Sequence, residues 1–181
     1  MTARWARCSK SGMRLLVTAR CADSRIDDFR SALADMQKMG IQIGLGWFLV
    51  LFAECLGKEG DTDEALTALE AAVAHFERRG SDASWEPEVH RLMGDLLLRR
   101  NPNAADRAEA SYRRAIERAR SQEAKSWELR AATSLARMWR DQGKPAEARA
   151  LLAPVYGWFT EGFDTLDLKQ AKALLNELGG A

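Results

Sequence analysis

Apolar residues recur along this chain with a helical period, in blocks separated by short polar or glycine-containing turns. Ile26, Phe29, Leu33 and Met36 form an i, i+3, i+7, i+10 stripe that predicts a helix over 24–39, with Gly40 placed to end it. A second helix follows over about 42–57, and the turn 57–60 (GKEG) reverses the chain. Asp61, with Glu64 three residues on, reads as a capping-box variant opening a helix to about 79 whose buried face is Ala65, Leu69, Ala72, Val73 and Phe76. Residues 80–82 (GSD) break it. Ser84 reads as the next N-cap, with Pro87 tolerated in the first turn, ahead of a stripe of Val89, Leu92, Met93, Leu96 and Leu97. Residues 101–103 (NPN) turn the chain into a return helix carrying Ala108, Tyr112, Ala115, Ile116 and Ala119. A third hairpin starts near Ser126, with Leu129, Ala132, Leu135, Ala136 and Trp139 inward. It turns at Gly143 and Lys144 and resumes at Pro145, a first-turn proline. A last helix opens at Asp164 and Thr165, with Leu168, Ala171, Leu174, Leu175 and Leu178 as its stripe and Lys169, Gln170 and Lys172 on its polar face.

One pattern occurs three times at a spacing of 41 to 42 residues. The copies are Ala53, Gly60, Ala65, Leu69, Ala72; then Gly94, Asn101, Ala108, Tyr112, Ala115; then Ala136, Gly143, Ala148, Leu152, Val155. The second copy has two extra residues in its turn. Such periodicity predicts stacked helical hairpins, each unable to bury its apolar face alone. The small residues allow close helix approach, and the large residue fills the space toward the next unit. The expected fold is all-α: a right-handed superhelix of hairpins over 23–181 (about 42–79, 84–121 and 125–160) with a C-terminal capping helix over 165–178.

The chain has 181 residues, 46% of them apolar and 29% charged, the composition of an ordinary globular protein. Lysine and arginine total 27 against 26 acids, so net charge argues for neither a nucleic-acid nor a membrane partner. Residues 39–53 are strongly apolar, but the stretch is too short to span a bilayer and is interrupted by Gln42 and two glycines, so a buried helix is the simpler reading. Residues 1–20 differ, with five basic residues and no acid. A targeting peptide is one reading of such a segment. A loosely ordered start, or the remnant of a truncated hairpin, is preferred because the repeat is already running when it emerges from there. Cys8, Cys21 and Cys55 lack CxxC spacing and suggest reduced thiols in a cytosol.

No phosphate-cradling GxxxxGK[ST], no HExxH, no GxSxG and no Cys/His cluster occurs. The expectation is therefore a non-enzyme with no cofactor and no metal. Asp27, Asp28, Asp63 and Glu64 sit at helix starts, where interaction with the helix dipole explains them. Arg113, Arg114, Arg118 and Arg120 could touch RNA, but Glu109 and Glu117 share their helix, and a salt-bridged solvated face is the better reading. Trp127, Trp139, Trp158 and Phe159 read as core and cap packing.

The repeated positions resemble the tetratricopeptide repeat, although that repeat has a period of about 34 residues. The longer period resembles the C-terminal helical arm of bacterial class III adenylate/guanylate cyclase–ATPase signalling proteins. The segments carrying the likeness are 88–98 (EVHRLMGDLLL), 124–136 (AKSWELRAATSLA) and 152–164 (LAPVYGWFTEGFD), within a match over about 24–178. Residues 1–22 do not match and could mark a truncated or restarted reading frame. The resemblance implies a cytoplasmic protein–protein interaction scaffold, a regulatory or sensing arm in signal transduction. The alternative is a truncated fragment of a nucleotide cyclase/ATPase that acts only with its missing catalytic domains. It also implies that the first helix of each hairpin lines a binding groove. In this sequence those positions are Glu54, Arg91, Asp95, Arg99, Arg130, Arg137 and Arg140. A groove basic at one end suits an acidic peptide or the free carboxyl end of a polypeptide. The competing reading is that these charges pair with one another across neighbouring hairpins.

Overall fold

The computed structural model describes residues 23–79 and 83–179. The readings made for residues 1–22, for Cys8 and Cys21, and for the break at 80–82 lie outside them. All regular structure among the described residues is helical: α1 (Asp23–Lys38), α2 (Leu45–Glu59), α3 (Thr62–Arg79), α4 (Glu86–Arg100), α5 (Ala105–Ser121), α6 (Lys125–Asp141), α7 (Pro145–Gly157) and α8 (Leu166–Gly179). The helices pack in consecutive pairs, and no described helix is long and apolar enough to cross a membrane. The chain divides into two compact units, 1–72 and 73–181, the boundary falling within α3.

In the first unit, Phe29 of α1 meets Phe48 edge-on and Phe52 at a tilt, both with ring centroids 6.1 Å away on α2. Only residues 45–53 of the apolar run read as a buried helix lie in α2, where Val50, Ala53 and Leu56 are at most 1% exposed. Met39, Ile41 and Ile43 precede the helix and are exposed, and α2 continues through 57–59, so the chain reverses at Gly60 rather than over 57–60. The capping-box reading needs one correction. Glu64 is not turned back on its own helix start: its two carboxylate oxygens accept Nε and Nη2 of Arg30 at 3.0 and 2.6 Å. The bidentate pair holds Glu64 below the ordinary carboxyl range, because the hydrogen bond from Arg30 favours its charged form.

In the second unit, α4, α5, α6 and α7 each pack on the next, α8 packs on α6 and α7, and α4 also touches α6. Turns form where glycine and proline predict them. Gly143 takes a left-handed φ of 74° between α6 and α7, and Pro145 opens α7. Asn101 caps the short 3-10 turn Pro102–Ala104 by accepting the amide of Asn103 at 2.9 Å. Ser84 is not the cap of α4. A 3-10 turn over Ala83–Trp85 precedes the helix, and Trp85 holds the cap position without a side-chain bond. Pro87 still sits in the first turn, where its missing N–H costs nothing.

The repeated pattern marks the core in all three copies. Ala53, Ala65, Leu69, Ala72, Ala108, Ala115, Ala136, Ala148 and Leu152 are 1% exposed or less, and Tyr112 and Val155 are 2% and 5%. At Gly94 the reason for a small residue is explicit. A Cβ there would lie 2.5 Å from Cε1 of Tyr112 and 2.7 Å from Cζ. The ring cannot yield, because it is buried and its hydroxyl donates to Asp95 Oδ1 at 2.7 Å. Expectations fail at the margins: Val73, Met93, Trp127, Phe159 and Leu175 are only half-buried, and Trp158 is 58% exposed, with its ring against Phe159 and the Lys125 ammonium 5.8 Å from its centroid.

Gly94→Ala should therefore destabilise the protein by about 1–3 kcal/mol of overpacking, outweighing the roughly 1 kcal/mol of helix propensity gained. Gly157→Ala is the control, since nothing lies within 4 Å of a Cβ there. Thermal melts should show the first variant clearly lowered and the second unchanged or raised.

His90 gives a pH dependence. It is 6% exposed, its Nε2 has no hydrogen-bond partner, and Glu86 Oε1 is 3.7 Å away. Burial, then the nearby Arg114 and Arg118, push its pKa down from 6.5 to about 4. The imidazole is thus neutral at pH 7, and its contact with Glu86 is not an ion pair. Below pH 6.5 the unfolded chain gains a proton that the folded one refuses until about pH 4, so stability falls as pH falls. Between pH 6.5 and 5 the loss should be roughly 1.5 kcal/mol. Urea denaturation at the two pH values should show it in the wild type and a much flatter response in His90→Asn.

Candidate functional site

Three of the seven groove residues converge. Arg91 of α4, with Arg130 and Arg137 of α6, lines a cavity of about 160 Å³, and α8 closes it with Leu166, Asp167 and Gln170. Asp95 stands beside it as a ligand of Arg91. Arg140 lies almost one turn beyond Arg137 on α6, and Arg99 is exposed at the end of α4. Glu54 belongs to the first unit, where it pairs with Lys58 at 3.1 Å.

The centre of the arrangement is Glu88, in the first turn of α4 and 4% exposed. Its Oε2 accepts Nε of Arg91 at 2.9 Å and its Oε1 accepts Nη2 at 2.8 Å. Nη2 of Arg130 reaches the same Oε1 at 2.8 Å from the neighbouring helix. Arg91 then donates Nη1 to Asp95 Oδ2 at 2.5 Å, and Asp95 accepts the Tyr112 hydroxyl on its other oxygen. One network thus links α5, α4 and α6. Its members are spaced so that one helix face presents them together: Glu88, Arg91 and Asp95 are i, i+3, i+7. Burial opposes the charge on Arg91, but Glu88 and Asp95 outweigh it and raise its pKa. Burial and the Asp95 carboxylate push Tyr112 up, so its phenol stays protonated and donating.

Arg130 also lies over the Trp127 ring, 5.1 Å from its centroid, with Nε 3.9 Å from Asp167. Arg137 donates Nη2 to Gln170 Oε1 at 3.1 Å, and Arg140 pairs with Asp141 at 2.9 Å and with Glu177 at 2.5 Å. The charges therefore do pair across neighbouring helices. Asp167, Gln170 and Glu177 escape the sequence reading because a capping helix is expected to carry an indifferent polar face. Asp167 and Gln170, spaced i, i+3, are the available signal.

The arginine run on α5 is also paired. Arg113 binds Glu109 at 2.8 Å, Arg118 binds Glu86 at 2.9 Å, Arg120 binds Glu128 at 2.7 Å, and Arg114 stands 3.9 Å from Glu77. Glu109 additionally accepts the Trp139 indole at 3.0 Å, the main cause of its lowered pKa. Burial would raise Glu128, but hydrogen bonds from Lys125 and Arg120 hold it below its ordinary value. Among the described residues no group of three or more histidines, cysteines, aspartates or glutamates could hold a metal ion. No protein-family model and no curated protein matches the sequence.

Glu88→Gln removes the shared counter-charge while keeping the shape, leaving Arg91 buried with less compensation. The expected cost is about 3–5 kcal/mol, because breaking a buried pair strands a charge. Chemical denaturation should show this, while Glu147→Gln on the exposed start of α7 should stay within about 0.5 kcal/mol of the wild type.

Proposed function

We propose that the protein is a non-catalytic, tetratricopeptide-like interaction module, a regulatory or sensing arm of a signalling system. On this reading the α4–α6–α8 face receives an acidic segment of a protein partner. The observation that carries it is the convergence of Arg91, Arg130 and Arg137 on one cavity, on the helices that are the first of their hairpins in the repeat reading. Arg91 is fully engaged and holds the frame, while Arg130 and Arg137 keep N–H donors that Glu88 and Gln170 do not take. Much of the positive charge is already matched internally, so an acidic segment would gain only by bringing several carboxylates at once, replacing Asp167 and Glu177 at the solvent-facing edge and adding a charge opposite Arg137. Exchange of this kind favours selectivity over raw affinity.

Reversing Arg137 and Arg140 together to glutamate tests the surface. Pull-down from the native host's cytosol should lose the partner that the wild type recovers, with helicity by circular dichroism unchanged. Recovery of the same partner by the folded double variant would place the binding surface elsewhere.

A further inference from the structure

We infer that the cavity between α4, α6 and α8 is a binding site for a phosphoryl group. This goes beyond the interaction reading, because it specifies the anionic group itself, and inorganic phosphate alone can test it. The three arginines divide by role. Arg91 has all three nitrogens engaged by Glu88 and Asp95, so it is part of the frame. Arg130 gives Nη2 to Glu88 and keeps Nη1. Arg137 gives Nη2 to the neutral Gln170 and keeps Nε and Nη1, and it has no carboxylate partner among the described residues. Between them lies Ser134, a cavity-lining residue whose hydroxyl has no hydrogen-bond partner among the described residues. Residues 130, 134 and 137 follow i, i+4, i+7, so their side chains share one face of α6 over about 10 Å of helix. Gln170 uses its oxygen on Arg137, which leaves its amide as a further donor from α8.

The geometry selects the anion. A planar carboxylate is satisfied by one guanidinium fork in one plane. Here the unused donors approach from successive turns of one helix and from a second helix, an arrangement that suits an anion offering three oxygens in three directions. The cavity, about 160 Å³, has room for such a group and the first atoms attached to it. Charge gives the second argument. Arg91, Arg130 and Arg137 face Glu88, Asp95 and Asp167, three cations against three anions. Glu88 is buried and Asp95 is held by two hydrogen bonds, whereas Asp167 is only 3.9 Å from Arg130 and its side chain is 29% exposed. Asp167 is thus the carboxylate that an incoming dianion displaces to solvent.

Calorimetric titration of the purified protein at fixed ionic strength tests the site, with inorganic phosphate as the probe and acetate as the planar control. Phosphate should bind at least about tenfold more tightly than acetate, Arg137→Gln should weaken it by about tenfold or more, and Asp167→Asn should tighten it several-fold. Glycerol phosphate and a phosphoserine peptide then separate two sources of the group: a small metabolite if the first binds more tightly, a phosphorylated side chain if the second does. Phosphate binding no better than acetate, or affinity unchanged in both variants, overturns the site. If Arg137→Gln loses its native circular dichroism, Asp167→Asn decides alone, and an unchanged or lowered affinity overturns the inference. Failure here together with partner loss in the Arg137/Arg140 double reversal would leave the interaction reading standing.

Discussion

The second unit depends on one buried carboxylate, Glu88, which holds guanidinium groups from two different helices. Bringing Glu88 and Arg91 out of water is costly, and the cost is tolerable only because Glu88 receives three charge-assisted contacts of 2.8–2.9 Å, the third from the partly exposed Arg130. A network of this kind contributes more to register than to net stability. Arg91 and Arg130 can reach the same carboxylate only when α4 and α6 lie at one relative height, so a slip of either helix would strand a buried charge. Tyr112 adds α5 to the same constraint through Asp95.

The apolar repeat and the polar network meet at one point. Gly94 makes room for the Tyr112 ring, and the adjacent Asp95 accepts the ring's hydroxyl. A leucine at 112 would fill space but bond nothing. A tyrosine at 112 with alanine at 94 would clash. The first and third copies use alanine with leucine at these positions, a pair that needs neither the extra space nor a polar acceptor. The middle copy is therefore where packing and charge are coupled, and through Arg91 it reaches the cavity that α6 of the third copy lines with Arg130, Thr133, Ser134 and Arg137.

Helices and their buried faces were legible because a 3.6-residue period, Pro145 and turn glycines act locally. The small-large pattern marked buried positions, but Tyr112 sits against Gly94 of its own hairpin rather than filling space toward the next unit. Cap chemistry was less legible. Ser84 has the right residue type for an N-cap, but Pro87 and the preceding 3-10 turn set the start of α4 at Glu86. Trp158 reads as packing on hydrophobicity alone, whereas its position past the end of α7 leaves most of the ring in solvent. The groove arginines can be identified individually, but their partners cannot. Which acid meets which arginine depends on inter-helix offset, a tertiary quantity with no local signature. Hence Asp167, Gln170 and Glu177, on what reads as a polar outer surface, stand opposite Arg130, Arg137 and Arg140.

Internal pairing changes what an arginine-lined cavity can select. Unpaired guanidinium groups would attract any anion at low salt and lose it as ionic strength rises. Here most of the positive charge is already matched, so a ligand must outcompete a resident carboxylate rather than meet an open field. A monoanion replacing Asp167 would exchange one carboxylate for another, with little net gain in charge or hydrogen bonds. A dianion with three acceptor oxygens adds what Asp167 cannot, a charge opposite Arg137 and acceptors for Ser134 and Gln170. The α8 carboxylate thus acts as a threshold: it raises the requirement for entry and rejects ligands no better than itself.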